Sequence, residues 1–148
     1  MSLLTNLLAY YKMDEASGDE PDAHAAYDAN ENSTVGSTTG KIGNARDFDG
    51  TNDFFDLAAD AVFNFGTGNF SLAAWVKTDT TSGYHIVLGK DTESNRAWAF
   101  GFGGLTAGKW SFSDITGSHT VESSTSVGSG VWVHLAATRN GTTHKLYV

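Results

Sequence analysis

The sequence contains no cysteine and a single proline, Pro21. Without cysteine there is no disulfide framework, no thiolate metal site and no cysteine nucleophile. No apolar run approaches the roughly 18 residues that span a bilayer as a helix, so membrane insertion is not expected. A secretory leader is not evident either: no basic residue precedes Lys12 in the apolar opening Met1–Tyr11, and no small-residue cleavage site follows it. The expectation is a chain that starts to fold within a few residues of Met1, either not exported by the secretory route or trimmed from something longer. Basic charge is scarce where acid is dense. Residues 1–60 carry 12 acids against Lys12, Lys41 and Arg46, whereas residues 61–148 carry 5 acids and 6 bases. An acid-rich half and a net charge of −8 exclude a nucleic-acid partner, which needs a basic footprint. The same acids permit a hard cation such as Ca²⁺, which takes oxygen ligands, and equally a solvated acidic surface.

What is present is period-two alternation, with helical periodicity nearly absent. At 148 residues, 40% hydrophobic and 17 glycines, the chain suits one turn-rich domain able to bury a core. Strands are expected over residues 7–13, 42–48 and 53–57, the last two paired around Asp49-Gly50-Thr51-Asn52. Residues 14–39 read as a long polar loop with at most a short strand, and residues 57–63 as one helical turn. The second half is clearer. Residues 70–77 set Phe70, Leu72, Ala74 and Val76 against Ser71, Ala73, Trp75 and Lys77. Further strands are expected over 84–90, 96–103, 108–114, 119–124, 131–139 and 143–148. Asn140-Gly141 reads as a hairpin turn of type I′, because both residues tolerate positive φ. About ten short strands between turn signals describe an all-β antiparallel sandwich or jelly roll. The chain stops at Val148 in mid-strand, so it is expected to be truncated at its C-terminal end, with a partner strand or a homo-oligomer completing the sheet.

Five segments carry a resemblance. Residues 8–18 (Leu8 to Gly18), 40–50 (Gly40 to Gly50), 70–77 (Phe70 to Lys77), 130–138 (Gly130 to Thr138) and 145–148 (Lys145 to Val148) resemble, in order, motifs of the laminin G-like, concanavalin A-like jelly-roll domains. The resemblance implies two antiparallel sheets packed face to face and mostly non-catalytic roles: glycan or protein binding, adhesion and surface display. It also implies that this chain corresponds to the first two-thirds of such a domain. Many members bind one Ca²⁺, and the matching loop is altered here to Asp28-Ala29-Asn30-Glu31-Asn32.

The candidate metal ligands are therefore Asp28, Asn30 and Asn32, whose alternate oxygens would let one loop wrap a cation, with help from Asp53. The competing reading is a polar turn whose Asp and Asn side chains bond their own backbone. The candidate ligand-binding residues are Tyr84, Trp98 and Trp110, with Trp132 beside them, as flat rings on which a sugar stacks. The competing reading places alternating Trp and Phe in the sandwich core. Ala97, Ala99, Gly101 and Gly103 line the opposite face of their strand, either as a shallow trough or as a place of close backbone approach. Glycoside hydrolysis usually needs two carboxyls flanking the bond. Glu15, Glu20, Glu31, Glu93 and Glu122 are the only glutamates, and none has the Glu-x-Asp-x-x-Glu spacing of a retaining glucanase, so no catalytic residues are assigned. The five histidines have no metal-ligand spacing, although His134 and His144 are expected near each other across the Asn140-Gly141 turn.

The resulting expectation is a non-catalytic surface module with a glycan or a protein surface as partner. A virion surface protein (capsid decoration or fibre-associated adhesin) leads, touching capsid or tail proteins. A carbohydrate-binding module of a secreted bacterial enzyme or adhesin is the alternative, and a glucanase the third reading.

Overall fold

The computed structural model describes residues 5–148 apart from 25–26, 59, 93–94, 104–105, 115–118 and 127. Residues 1–4 of the opening apolar stretch thus lie outside the described residues. The described chain is all-β but for one 3-10 turn, Asp60–Phe63, and it divides into two compact units, Met1–Ala61 and Val62–Val148.

The first unit holds two small antiparallel pairs. Strand β1 (Ala29–Asn32) pairs with β4 (Phe54–Leu57), and β2 (Gly36–Thr39) pairs with β3 (Asn44–Asp47). The expected pairing of the strands on either side of Asp49–Asn52 is not formed. Asp49 Oδ1 instead accepts from the N–H groups of Thr51 and Asn52 at 2.8 and 3.2 Å, closing a local turn on a side chain rather than on a ladder. Residues 7–13 make no strand beyond an isolated Tyr11–Asp22 bridge. Here the N–H of Tyr10 donates to Asp22 Oδ1 at 2.9 Å, so a buried carboxylate takes a backbone donor that a neighbouring strand would otherwise satisfy. Apolar burial in this unit is slight, chiefly Val35 and Ala29. Polar pins do much of the ordering. Arg46, buried, donates to Glu31 Oε1 (2.5 Å), Val35 O (3.2 Å) and Glu15 O (3.2 Å), with its guanidinium 5.0 Å from the Phe55 ring centre.

The second unit is a two-sheet sandwich. One sheet has the order β11-β10-β5, built from β5 (Phe70–Val76), β10 (Val133–Asn140) and β11 (Thr143–Tyr147). The other has the order β6-β7-β8-β9, built from β6 (His85–Thr92), β7 (Asn95–Phe102), β8 (Trp110–Asp114) and β9 (His119–Glu122). All their pairings are antiparallel. The period-two pattern determines what lies between the sheets. Trp98, Phe100 and Phe102 of β7 meet Trp110 and Phe112 of β8 and Leu135 and Ala137 of β10, with Phe70, Leu72, Ala74 and Val76 packed against them. Phe100, Phe102 and Phe112 are fully buried, each contributing about 1.5–3 kcal/mol over an exposed ring. Phe70 lies edge-on to Phe112 and stacks on Phe65.

The small-residue face of β7 is a place of close approach rather than an open trough. A Cβ on Gly101 would fall 2.2 Å from His85 O, beside the irregularity that shifts the β6–β7 register between Ile86 and Leu88. The β10–β11 hairpin forms as expected, but with a different turn. Asn140 pairs with Thr143, leaving Gly141 and Thr142 as the central residues. Only Gly141, at φ 58°, has positive φ. Glycine first and an ordinary φ second fit type II′ instead of I′.

Candidate functional site

Alternation that buries one side of the β11-β10-β5 sheet exposes the other. With Phe70, Leu72, Ala74 and Val76 inward, Ser71, Ala73, Trp75 and Lys77 face out along β5. Register carries the same sidedness to β10, where His134 lies opposite Trp75 and Ala136 opposite Ala73. It continues to β11, where Tyr147 lies opposite Ala136 and Lys145 opposite Thr138. Trp75 is 50% exposed and Tyr147 52%. The Trp75 and His134 rings sit 5.2 Å apart, and Lys77 Nζ lies 5.7 Å from the centre of the Trp132 ring. From Trp132 to Thr138 the face runs for about 20 Å at roughly 3.4 Å per residue. It therefore offers two half-exposed rings beside a low strip of Ala73 and Ala136, with a ring–cation pair at one end and Lys145 at the other. Flat apolar faces flanked by polar donors suit the two sides of a sugar ring, one apolar and one hydroxylated.

The expected aromatic platform is corrected in part. Trp98 and Trp110 belong to the core, 6% and 2% exposed. They share their strand faces with Phe100, Phe102 and Phe112, and a ring packed between sheets offers no free surface for stacking. Trp98 lines a depression of about 220 Å³ with Phe65, Gly66 and Arg139. Its indole N–H donates to Phe63 O at 3.4 Å. Tyr84 is 44% exposed just before β6, a strand of the other sheet. Trp132 does join the outer face. Trp75, His134 and Tyr147 are the additions, and the alternation that groups Trp75 with Ser71 and Lys77 was the signal for the first of them.

Arg139 is the other organised group. It is buried, its guanidinium 4.8 Å from the Phe70 ring centre. Nε donates to Gly68 O (2.9 Å), and Nη2 to Gly66 O (2.6 Å) and Gly68 O (2.5 Å). Nη1 pairs with the buried Asp114 carboxylate, which also meets His144 Nε2 at 3.2 Å. The His144 ring lies tilted against His119, their centres 5.0 Å apart. His134 and His144 are therefore not neighbours: one faces out against Trp75, the other in toward Asp114, because their strand positions have opposite parity across the hairpin register. Every described donor of Arg139 is committed to holding the 65–68 loop and Asp114.

The four candidate metal ligands do not converge. Asn30 and Asn32 lie within β1, not in a wrapping loop. Side chains two apart on a strand project in parallel about 6.8 Å from each other, whereas calcium oxygens lie 2.3–2.6 Å from the ion. Asp28 Oδ1 accepts from Asp22 N and Asp53 Oδ2 from Asp49 N, each at 2.9 Å, while Asn30 Nδ2 reaches Asp56 O at 3.5 Å. This set does not fit a calcium ion. No group of three or more His, Asp or Glu among the described residues is arranged to hold a metal.

The acids of the first unit instead perturb one another. Burial, with Asp22 and Asp28 adding to it, pushes the Tyr11 phenol up to about 12. Its hydroxyl donates to Tyr27 O. Glu20 is buried and its carboxyl is pushed up by desolvation, against N–H donors from Met13 and Asp14 and the charge of Arg46. Its Oε2 has no hydrogen-bond partner among the described residues. Asp22, Glu20 and Arg46 were not singled out by sequence reasoning, which weighed the acids for metal binding only. In the second unit, Glu122 accepts from Thr106 N and Oγ1, both at 2.7 Å, and Glu93 lies outside the described residues.

Residues 49–148 match the concanavalin A-like lectin/glucanases superfamily. The match takes in the motifs at 70–77, 130–138 and 145–148, and all but residues 49–50 of the earlier two precede it. The chain is also similar to a solved structure, residues 221–444 of an S-layer domain-containing protein from Clostridium thermocellum. The two are 28% identical with a TM-score of 0.62, and the alignment covers 94% of this chain and 67% of that one. No curated protein matches the sequence.

Proposed function

This chain belongs to the concanavalin A-like lectin/glucanases superfamily, and from that premise we propose that it is a non-catalytic binding module that takes up saccharide on the outer face of the β11-β10-β5 sheet. The observation that carries the reading is the pair of half-exposed rings, Trp75 and Tyr147, with Trp132 at one end, on a face whose other side chains are small or polar. Large rings are normally spent on burial, and a solvent-facing cluster beside polar donors is the usual make-up of a recognition surface. The non-catalytic part is supported by how the acids are used: Asp114 neutralises Arg139, and Glu122 holds Thr106. Likeness to an S-layer domain-containing protein supports a setting on a surface and does not single out a virion. Display on a capsid or fibre is therefore kept as one surface among others, and co-purification with virions is its separate test.

A glycan array probed with the folded chain and with Trp75→Ala/Tyr147→Ala tests the reading. Specific binding by the first and its loss in the second, with unchanged circular dichroism, is the expected result. No binding to any saccharide refutes it, and turnover of laminarin overturns the non-catalytic assignment.

A further inference from the structure

Given a saccharide on the outer face, the charge of that face selects which saccharide; the ligand class proposed below for it rests on the saccharide-binding reading. The chain carries 17 acids and a net charge of −8. Yet strands β5, β10 and β11 contain no aspartate or glutamate at all. Their two basic residues and the one that follows β5 divide cleanly. Arg139 points inward and is consumed by Asp114 and the 65–68 loop. Lys145 and Lys77 are exposed on the outer face.

These two lysines stand at opposite ends of the aromatic strip. Lys145 is opposite Thr138, and Lys77 is beside Trp132. The run from Trp132 to Thr138 separates them by about 20 Å. We infer that the face binds an acidic polysaccharide, a chain of uronic-acid type, whose sugar rings lie along Trp75, His134 and Tyr147 while carboxylates spaced along it meet Lys77 and Lys145.

Contrast in charge is the physical basis. A protein with net charge −8 repels a polyanion at long range, so such a ligand can dock only where the local field is reversed. At a Debye length of about 8 Å in physiological salt, each lysine acts chiefly on its own surroundings. A neutral saccharide takes only ordinary hydrogen bonds from the two ammoniums, whereas a carboxylate takes the stronger charge-assisted ones, and the three neighbouring strands present no carboxylate to compete for them. The Lys77 ammonium lies over the Trp132 ring, 5.7 Å from its centre, held there by cation–π attraction. That contact restricts the ammonium and lowers the ordering cost of meeting a carboxylate there.

The experiment uses polygalacturonate and the same polymer fully methyl-esterified, which keeps the backbone and removes the charge, with alginate and hyaluronan as further acidic chains. Binding is followed by isothermal titration at 50 and 500 mM NaCl. The expected result is binding to at least one acidic polymer that weakens several-fold in high salt. Against that polymer, Lys77→Gln/Lys145→Gln is about 5- to 10-fold weaker. Lys12→Gln, which removes an exposed charge in the other unit, leaves binding unchanged. Trp75→Ala abolishes it. Equal affinity for esterified and free polygalacturonate, or array binding confined to neutral glycans, overturns the acidic ligand while the saccharide-binding reading stands. An equal effect of Lys12→Gln overturns the localised site. Absence of binding to every saccharide on the array overturns both.

Discussion

Replacing Arg139 by methionine separates its electrostatic role from its packing role. Methionine keeps an unbranched stem over the Phe70 ring, 4.8 Å from the guanidinium carbon in the wild type, and removes all five donors. Two losses result. Asp114, 2% exposed, loses its guanidinium partner and keeps the His144 contact at 3.2 Å. Removing one partner of a buried ion pair costs about 3–5 kcal/mol. The carbonyls of Gly66 and Gly68 lose donors at 2.6 and 2.5 Å, but both glycines are exposed and water replaces the lost bonds at little cost. The residual His144 contact keeps the total near the lower half of that range, about 3–4 kcal/mol. Against a typical stability of about 5–15 kcal/mol this is a large fraction. It corresponds to a fall in melting temperature of about 6–16 °C for a chain of this size. Urea denaturation of wild type, Arg139→Met, Asp114→Asn and the double variant gives the cycle. The double variant is expected to lose about 1.5–3 kcal/mol less than the sum of the singles. A single-variant loss below about 1 kcal/mol with an unchanged denaturant slope would refute the claim that this pair ties β10 to β8 and the 65–68 loop.

Other substitutions test separate parts of the structure. Gly103→Ala places a methyl group at φ +74° and 1.9 Å from Gly83 O, so a loss of about 1–3 kcal/mol is expected by thermal unfolding, and a neutral outcome would contradict the close strand approach. Phe100→Ala removes a fully buried ring and should cost about 3–5 kcal/mol, whereas Trp75→Ala should cost about 1 kcal/mol or less. Equal costs would mean that the sidedness of the two sheets is misassigned. Glu20 has a raised folded pKa, so its ionisation opposes folding; stability gained from it appears as pH falls through that raised value toward the ordinary range near 4.5. Relative to Glu20→Gln, the wild type should gain melting temperature as pH falls toward 4.5, and parallel profiles would remove Glu20 as a contributor. With Tyr11 raised to about 12 from 10.0, the unfolded chain ionises first and the fold loses stability as pH rises across that window, so Tyr11→Phe should flatten the alkaline limb. Calcium expected at Asp28, Asn30, Asn32 and Asp53 would require β1 to leave β4, so millimolar Ca²⁺ should leave the melting temperature unmoved, and a rise abolished by Asp28→Asn would restore the expectation.

The second unit was largely legible because its strands alternate without interruption. Phe70 to Lys77, the aromatic run from Trp98 to Phe102, and Val133 to Arg139 each state which residues share a face, and the Asn140-Gly141 signal located the hairpin. Ring chemistry alone led to Trp98 and Trp110 as ligand-binding residues, whereas the packing of the two sheets buries both and leaves Trp75 half-exposed. In the first unit, alternation is weak and side-chain carboxylates compete for backbone donors. Asp22 takes the Tyr10 N–H and Asp49 closes its own turn, so neither the opening strand nor the expected 42–48 with 53–57 pair forms. Strand identity is a local property of the chain, fixed by a two-residue period. Strand partnership is not: β1 finds β4 across more than twenty residues, and Arg139 finds the carbonyls of Gly66 and Gly68 from 73 and 71 residues away. Those choices depend on loop-closure entropy and on which buried charges neutralise one another. No period in the sequence records either, so only the tertiary structure decides them.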